Sequence, residues 1–399
     1  MILQKTSWSK SRKRARECGV ELFVLDDGWF GKRCGEQAGL GDWVANPDRL
    51  KNGITGLAQR IEDLGMKFGL WFEPEMVNQD SDLYREHPDW IIQVPGRRNS
   101  HGRYQYVLDF SRKEVVDRIY EMMDKILSEA KVSYIKWDMN RSITECYSAA
   151  LPPDRQGEVY HRYILGVYDL YERLTSKFPQ ILFESCASGG GRFDPGMLYY
   201  APQCWTSDDS DAVERIKIQY GTSYCYPVSS MGTHVSVVPN HQINRITPLD
   251  TRANVAYFGT FGYELDLNTL TANEQEEVKG QIAFMKQYRQ LFQFGTFYRL
   301  QSPFEHNTSA WMVVSDDRKE AIVGWYRVLN GVNLPYTRLH LRGLSEDLPY
   351  RVNGERGIHY GSELMNAGLI TTDASSGQAQ GNEEMCRDFE SRLYILKAD

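Results

Sequence analysis

The sequence has little of what several classes of protein require. No run of 18 apolar residues occurs in its 399 residues, and no apolar run follows the basic residues near the N-terminus. We therefore expect neither a membrane span nor a secretory signal peptide. The net charge of −7 argues against nucleic acid as a partner, because phosphate binding needs a basic surface.

Motifs for metals and for several kinds of catalysis are also missing. The seven cysteines form no CxxC pair, and an odd, irregular set is typical of reduced thiols in a cytoplasmic protein. The eight histidines show no HxxxH or HxH spacing, and no G-x-S-x-G elbow is present. We predict no metal and no cofactor. The alternative is a hard-cation site formed by four acids, Asp26, Asp27, Asp138 and Asp208.

Residues 1–293 alternate short apolar runs with amphipathic helical patterns, which predicts a parallel α/β sheet. The predicted strands are residues 21–26, 67–72, 105–109, 132–138, 181–185, 203–207 and, more weakly, 226–231. The sheet is either doubly wound or a (β/α)8 TIM barrel. The barrel is favoured because acids replace a glycine-rich phosphate turn after the first strand, and because polar residues follow nearly every strand. Seven strands were found instead of eight, so we expect the first barrel strand to be lacking.

Residues 294–399 have a different pattern. Short strands separated by turns predict a small antiparallel β-sandwich domain. The predicted strands are residues 310–315, 320–328, 338–341 and 392–396.

The most informative stretch is the apolar run 132–137, which ends on Asp138. Lys136 and Asp138 should point to the same side, because side chains alternate along a strand. Taken alone, they would be a structural ion pair. After strand 67–72, Glu73 and Glu75 alternate with Trp71, which belongs either to a pocket or to the core.

Other strand ends carry further polar residues. Asp26 and Asp27 could cap a helix, bind a metal or accept hydrogen bonds from substrate hydroxyls. Arg103 could reach the mouth of the barrel, where the strands end, or neutralise one of the acids. Asp211 precedes a helical pattern and is its expected cap, which leaves Asp208 for catalysis.

The segment from Cys186 contains three glycines, which we interpret as a close approach of the backbone to a ligand, with Cys186 as a pocket wall. A carboxylate-rich and aromatic-rich mouth suits glycoside hydrolysis, which needs two positioned carboxyl groups and little else.

Five motifs in this order resemble the catalytic barrel of bacterial α-galactosidases of glycoside hydrolase family 36. They are LFVLDDGWFG, FGLWFEPEMVN, YIKWDMNR, FESCASGGGRFD and WTSDDSDA. The resemblance covers about residues 20–242 and continues more loosely through the C-terminal β domain.

The resemblance implies a role for each matching residue. Asp138 falls on the family's nucleophile, and Asp208 falls on its general acid/base. The implied substrate-binding residues are Asp26, Asp27, Trp71, Arg103, Lys136, Cys186, Gly189 and Arg192. Of these, Cys186 and Gly189 would face the C2 hydroxyl of galactose, and Asp26 and Asp27 would bind the C4 and C6 hydroxyls.

The implied reaction is a retaining double displacement on α-galactoside oligosaccharides such as raffinose and melibiose. Retention predicts that the two carboxyl groups lie about 5–5.5 Å apart. Two alternatives remain: an α-N-acetylgalactosaminidase, or a truncated, inactive galactose-binding remnant. Family members carry an N-terminal β-sandwich and a first barrel strand that this sequence lacks, so we expect another chain or segment to supply the strand, or activity to be absent. A homo-oligomer is also possible.

Overall fold

The computed structural model describes residues 5–100, 102–332, 337–353, 355, 357–372 and 387–398, with side chains described from residue 10 onward. These residues group into two compact units, Met1–Trp205 and Thr206–Asp399. The predicted domain boundary between residues 293 and 294 stays a prediction.

The first unit alternates helices and strands. Its helices are α1 Lys5–Cys18, α2 Gly53–Glu62, α3 Asp82–Glu86, α4 Lys113–Glu129, α5 Val159–Lys177 and α6 Pro195–Tyr200, with a 3₁₀ turn at Pro153–Glu158. Its strands are β1 Leu22–Leu25, β2 Lys67–Phe72, β3 Met76–Asn78, β4 Gln105–Val107, β5 Tyr134–Trp137, β6 Leu182–Ser185 and β7 Gln203–Trp205. Helix α1 ends at Gly19, whose φ of 92° is one that glycine adopts without strain.

Five strands of this unit form a parallel sheet in the order β1-β2-β5-β6-β7. The strand order follows the chain without reversing. A doubly wound sheet reverses its order at a switch point, so this sheet has the connectivity of a barrel. The active-site edge of such a sheet lies at the carboxyl ends of its strands.

The strand predicted at residues 105–109 forms, but not in the parallel sheet. β4 pairs antiparallel with β3, from Met76↔Val107 to Asn78↔Gln105, as a separate two-stranded sheet. The prediction of a barrel strand here was wrong because an apolar run identifies a strand without identifying its partner.

The second unit begins with more α/β structure. It contains α7 Ala212–Thr222, a 3₁₀ turn at Val228–Ser230, β8 Met231–Ser236, α8 Leu249–Ala256, β9 Thr260–Glu264 and α9 Ala272–Phe294. β8 and β9 are parallel neighbours. The weak strand predicted at residues 226–231 was placed too early, because Pro227 and the 3₁₀ turn delay the strand until Met231. β9 was missed because Gly262 interrupts its apolar pattern.

The rest of the second unit is antiparallel. Its elements are β10 Thr296–Gln301, β11 Thr308–Val314, β12 Glu320–Arg327, β13 Thr337–Leu339, β14 Pro349–Val352, β15 His359–Tyr360, α10 Gly361–Asn366, β16 Leu369–Thr372 and β17 Glu390–Ala398. A six-stranded sheet has the order β10-β11-β12-β17-β14-β15, and β13 pairs with β16. Both sheets contribute to one core that includes Trp325, Leu339, Leu369 and Leu396. The predicted β domain is therefore confirmed, and all four predicted strands are present.

Within the described residues, no helix is both long enough and apolar enough to cross a membrane.

Candidate active site

The register of the parallel sheet brings three predicted strand ends together. Trp71 on β2 is the partner of Lys136 on β5, which is in turn the partner of Glu184 on β6. One step further along, the Asp138 backbone N–H donates to the Phe72 carbonyl at 2.8 Å. Asp138 therefore lies at the carboxyl edge of the sheet, beside the residues that end β2.

Asp138 is buried, and three donors hold its carboxylate. Trp71 Nε1 and Asn140 Nδ2 donate to Oδ2 at 3.2 and 2.6 Å, and the Met139 backbone N–H donates to Oδ1 at 2.9 Å. The side chain is 8% exposed. Hydrogen bonds to an ionised carboxylate stabilise the charge that burial disfavours. The site thus presents a fixed anionic oxygen at the sheet edge.

A buried aromatic cluster fixes the orientation of Trp71. Its ring stacks on Phe30, with centroids 6.0 Å apart and planes 12° apart, and it also contacts Trp43. Trp29 Nε1 donates to the Trp71 carbonyl at 2.9 Å. Trp71 therefore packs in the core while its Nε1 reaches Asp138, and its place in a sugar pocket stays a prediction.

Lys136 forms its ion pair with Asp26 rather than with Asp138. Its Nζ lies 3.4 Å from Asp26 Oδ2 and 5.9 Å from the centre of the Trp205 ring. Burial alone would lower the pKa of Lys136, but the nearby carboxylates, Asp26 and Glu184 first, raise it well above its usual value. Lys136 is therefore a permanent cation near the carboxylate of Asp138.

Asp27 is held by a residue that the sequence patterns did not single out. Arg33 binds it in bidentate geometry, with Nη2 2.7 Å from Oδ2 and Nε 2.9 Å from Oδ1. The Arg33 side chain is only 3% exposed, whereas that of Asp27 is 38% exposed. Arg33 is fixed further by Asn78 Oδ1 at 3.2 Å. The Asp27 carboxylate is thus held by Arg33 on one side and exposed to solvent on the other.

Glu73 is a second residue that sequence reasoning left without a role. It is 1% exposed, and its Oε1 accepts a hydrogen bond of 2.6 Å from the Asn140 backbone N–H. Burial, and then the Asp138 carboxylate, raise the pKa of Glu73 to about 8. Its alternation with Trp71, which the sequence did show, is the signal that could have identified it.

Cys186 lies against Asp138 at the end of β6. Burial, followed by the Asp138 charge, raises the pKa of its thiol well above the usual value, so the sulfur stays protonated. The Gly189 backbone N–H donates to its Sγ at 3.4 Å, and Ser188 and Gly189 both have positive φ, 47° and 88°. A neutral thiol is a poor nucleophile, which supports the interpretation of Cys186 as a pocket wall.

Glu75 does not share the side of the sheet that Trp71 and Glu73 occupy. Pro74 breaks the alternation, and Glu75 accepts hydrogen bonds from Trp137 Nε1, Tyr163 Oη and both terminal nitrogens of Arg192. Arg192 lies at 2.7 and 2.9 Å, and Glu75 is completely buried. These contacts give Arg192 a structural role that does not require a substrate. Its predicted contact with sugar stays a prediction.

We expect Glu75→Gln to lower the free energy of unfolding by about 3–5 kcal/mol, because it leaves the Arg192 charge buried without its partner. Urea unfolding would measure the change. The matched control is Glu17→Gln, which breaks an exposed pair with Arg14 and should cost at most about 0.5 kcal/mol. Equal effects of the two variants would contradict a structural role for the Glu75–Arg192 pair.

Arg103 reaches the same region from the loop before β4. It and Tyr104 have positive φ values of 51° and 58°, a conformation that non-glycine residues rarely adopt. Its Nη2 lies 3.0 Å from Glu36 Oε1, and Glu73 and Asp138 are close enough to influence its pKa, which is raised even though burial opposes this. Its guanidinium therefore stays charged near both acids.

Asp208 lies in the second unit, on the loop before α7, with its side chain exposed. Asp211 caps α7 as predicted, accepting from the backbone N–H groups of Val213 and Glu214 at 3.0 and 3.1 Å. The predicted 5–5.5 Å separation between the Asp138 and Asp208 carboxyls stays a prediction.

Across the described ranges, no group of three or more His, Cys, Asp or Glu side chains is arranged to hold a metal ion.

A parallel sheet with barrel connectivity and a buried, donor-held carboxylate at its carboxyl edge are the features of a barrel glycosidase. Comparison with known families agrees. A family model described as Melibiase matches residues 4–295, and one described as the glycosyl hydrolase family 36 C-terminal domain matches residues 308–396. The chain belongs to glycosyl hydrolase family 36.

Individual relatives are similar over nearly the whole chain. The α-galactosidase AgaA of Geobacillus stearothermophilus is 54% identical over 386 residues, which are 97% of this chain and 51% of that protein. A crystal structure of an AgaA variant in complex with raffinose matches with a TM-score of 0.94 and 51% identity, covering 100% of this chain and 54% of that one. The α-galactosidase structure from Lactobacillus brevis matches with a TM-score of 0.96 and 51% identity, covering 100% and 53%.

These matches confirm the predicted barrel-type fold with a C-terminal β domain. The chain spans about half the length of the curated relatives it matches.

Proposed function

We propose that this chain carries the catalytic site of a retaining α-galactosidase, which releases terminal α-D-galactosyl residues from oligosaccharides such as raffinose and melibiose. The observation that carries the proposal is Asp138, a buried carboxylate held by Trp71 Nε1 and Asn140 Nδ2 at a strand end. The 54% identity to a named α-galactosidase, and the raffinose complex of that relative's variant, support the substrate class.

In the first step, an Asp138 oxygen attacks the anomeric carbon and forms an ester. The protonated Asp208 gives its proton to the glycosidic oxygen, which leaves as the alcohol of the aglycone. The hydrogen bonds from Trp71 and Asn140 hold the attacking carboxylate in one place, so little of the barrier arises from orienting it.

In the second step, water attacks the same carbon and the bond to Asp138 breaks. Asp208, now a carboxylate, takes the proton of the water, and galactose leaves with its original anomeric configuration. The permanent charge of Lys136 stabilises the Asp138 carboxylate as it is released.

The sugar hydroxyls would be bound by the open, oriented carboxylates. Asp27 is fixed by Arg33 from one side, and Asp26 is paired with Lys136. Each carboxylate oxygen has more than one acceptor site, so both acids retain capacity for hydroxyl donors. We assign Asp26, Asp27 and Lys136 to the C4 and C6 side of galactose, with Arg103 closing the same mouth.

Cys186 and Gly189 favour galactose over N-acetylgalactosamine. The buried thiol lies against Asp138, and the tight turn at Ser188 and Gly189 brings backbone close to it. An acetamido group at C2 is much larger than a hydroxyl and would need space that this wall fills. This observation supports the α-galactosidase assignment over its closest rival.

A comparison of two aryl glycosides tests the assignment. We expect nitrophenyl α-galactoside to be cleaved with a kcat/KM at least about 10²-fold higher than that of nitrophenyl α-N-acetylgalactosaminide, which is the discrimination that loss of a well-fitted group can give. Faster cleavage of the acetamido sugar would favour the rival.

Calorimetric titration with galactose separates the enzyme from a binding remnant. Binding of galactose by a chain that turns over neither glycoside would favour the remnant. A cytoplasmic location remains our prediction, supported by the six free cysteines in the described residues. A homo-oligomeric state is likewise still a prediction.

A further inference from the structure

Glu73 lies just beyond β2, beside the proposed nucleophile, and the two-step mechanism does not use it. Its buried carboxyl has two contacts: the Asn140 backbone N–H donates to Oε1 at 2.6 Å, and Gln105 Nε2 donates to Oε2 at 3.1 Å. The side chain therefore joins the end of β2 to the loop after β5 and to β4.

Asn140 connects Glu73 with Asp138. Its backbone N–H contacts Glu73, while its side-chain Nδ2 donates to Asp138 Oδ2 at 2.6 Å. Ser188 Oγ donates to Oδ1, the side-chain amide oxygen of Asn140, at 3.3 Å. The position of Glu73 thus determines where the Asn140 donor meets the carboxylate of Asp138.

Burial and the charge of Asp138 disfavour the ionised form of Glu73, whereas two arginines favour it. The charged groups that face it are Asp138, Arg103 and Arg33. Both arginines form ion pairs with other acids, Arg103 with Glu36 and Arg33 with Asp27. Burial and the neighbouring Asp138 charge outweigh these cations, and they raise the pKa of Glu73 to about 8.

The side-chain amide of Gln105 has the hydrogen-bond acceptor that a neutral Glu73 carboxyl needs. Gln105 is buried, and its Oε1 has no hydrogen-bond partner among the residues that the structure describes. A half-turn of the amide would place this oxygen opposite Glu73 Oε2, where it accepts the proton of a neutral carboxyl.

We propose that Glu73, in its protonated form, is a positioning residue that holds Asn140 against Asp138; this inference rests on the function proposed above. When Glu73 loses its proton, its negative charge lies beside the charge that develops on Asp138 as the ester bond breaks. The Asp138 carboxylate is the leaving group of the second step, so its release from the galactosyl enzyme becomes slower.

The test measures kcat against pH with a nitrophenyl α-galactoside, after a burst of nitrophenol has shown that the second step limits the rate. In that step Asp208 acts as a base, so its deprotonation does not reduce the rate. Lys136 and Cys186, which also lie near Asp138, titrate at higher pH because their pKa values are raised. We expect kcat of the unsubstituted chain to fall about tenfold with rising pH, over a range that begins below pH 8, because the ester bond of the galactosyl enzyme removes the Asp138 charge that helps to raise the pKa of Glu73.

Two variants separate the effect of positioning Asn140 from the effect of ionising Glu73. Glu73→Gln keeps an acceptor for Asn140 but cannot ionise, so kcat should be lower by less than about tenfold and should no longer fall through that pH range. Glu73→Asp withdraws the carboxyl from Asn140 and should lower kcat about 10–100-fold at every pH. Glu17→Gln is the matched control and should keep the original profile. If kcat of Glu73→Gln falls with rising pH as it does in the unsubstituted chain, the inference is overturned and the proposed function is unaffected.

Infrared difference spectra give a readout that does not depend on turnover. The unsubstituted chain minus Glu73→Gln should show the carbonyl stretch of a protonated carboxyl at about pH 6.5, and this band should disappear through about pH 8. Absence of the band would overturn the inference even if both proteins are active. A chain that shows the band but cleaves no α-galactoside would refute the proposed function and the positioning of a nucleophile, but would confirm the protonated Glu73.

Discussion

Asp138→Ala should lower kcat/KM for a nitrophenyl α-galactoside by on the order of 10⁴-fold or more, because the first step loses its nucleophile. The same change leaves Trp71 Nε1 and Asn140 Nδ2 without their acceptor, so circular dichroism should verify that the variant is folded. The space left by the carboxylate lies on the face from which Asp138 attacks.

Azide should restore turnover of Asp138→Ala, since a small anion can enter that space and attack the anomeric carbon. The product should be β-galactosyl azide, formed by a single inversion. The matched control is Asp63→Ala, an exposed acid at the end of α2 whose Oδ1 accepts from Gln59, and its kcat/KM should be unchanged. Restoration that yields α-galactosyl azide would contradict the assignment of Asp138 as nucleophile.

Asp208→Ala should have an effect that depends on the leaving group. For raffinose, whose leaving alcohol needs a proton, kcat/KM should fall by about 10³-fold or more. For a nitrophenyl galactoside, whose leaving group needs little help, the fall in kcat/KM should be less than about tenfold. The galactosyl enzyme should then accumulate, because no base activates water in the second step.

Azide needs no base, so it should release the sugar from the Asp208→Ala enzyme as α-galactosyl azide. The opposite anomers expected from the two variants assign the two roles independently. Asp316→Ala, at an exposed turn of the second unit, is the control and should behave like the unsubstituted chain. An equal loss on both substrates would contradict a role for Asp208 as general acid.

The sequence was most informative about residues at the ends of strands. The alternation along residues 132–138 and the acid after the first strand placed Asp138 and Asp26 at the carboxyl edge of the sheet, because the carboxyl ends of parallel strands meet at one edge. Trp71 was identified for the same reason. These positions follow from local patterns and from one topological rule.

The residues that the sequence patterns missed are those whose partners come from elsewhere in the fold. Arg33 binds Asp27 from a loop with no periodic pattern, and Asn78 reaches Arg33 from the β3–β4 sheet. That sheet was itself assigned wrongly, since residues 105–109 were placed in the barrel. A side chain on an irregular loop has no spacing from which its partner can be inferred.

Glu75 illustrates the opposite error. Alternation placed Glu75 on the side of Trp71, but Pro74 ends the strand and Glu75 turns to Arg192, Trp137 and Tyr163. The resemblance gave Arg192 a contact with sugar, which stays a prediction, and its two terminal nitrogens bind Glu75. A motif residue can thus have a structural partner that its motif does not show.

The most direct test of the central claim is proton NMR of the first seconds to minutes of nitrophenyl α-galactoside hydrolysis by this chain, before mutarotation mixes the anomers. A retaining reaction through Asp138 predicts that α-galactose appears first and β-galactose only later. β-galactose as the first product, or no galactose at all, would contradict the assignment of this chain as a retaining α-galactosidase.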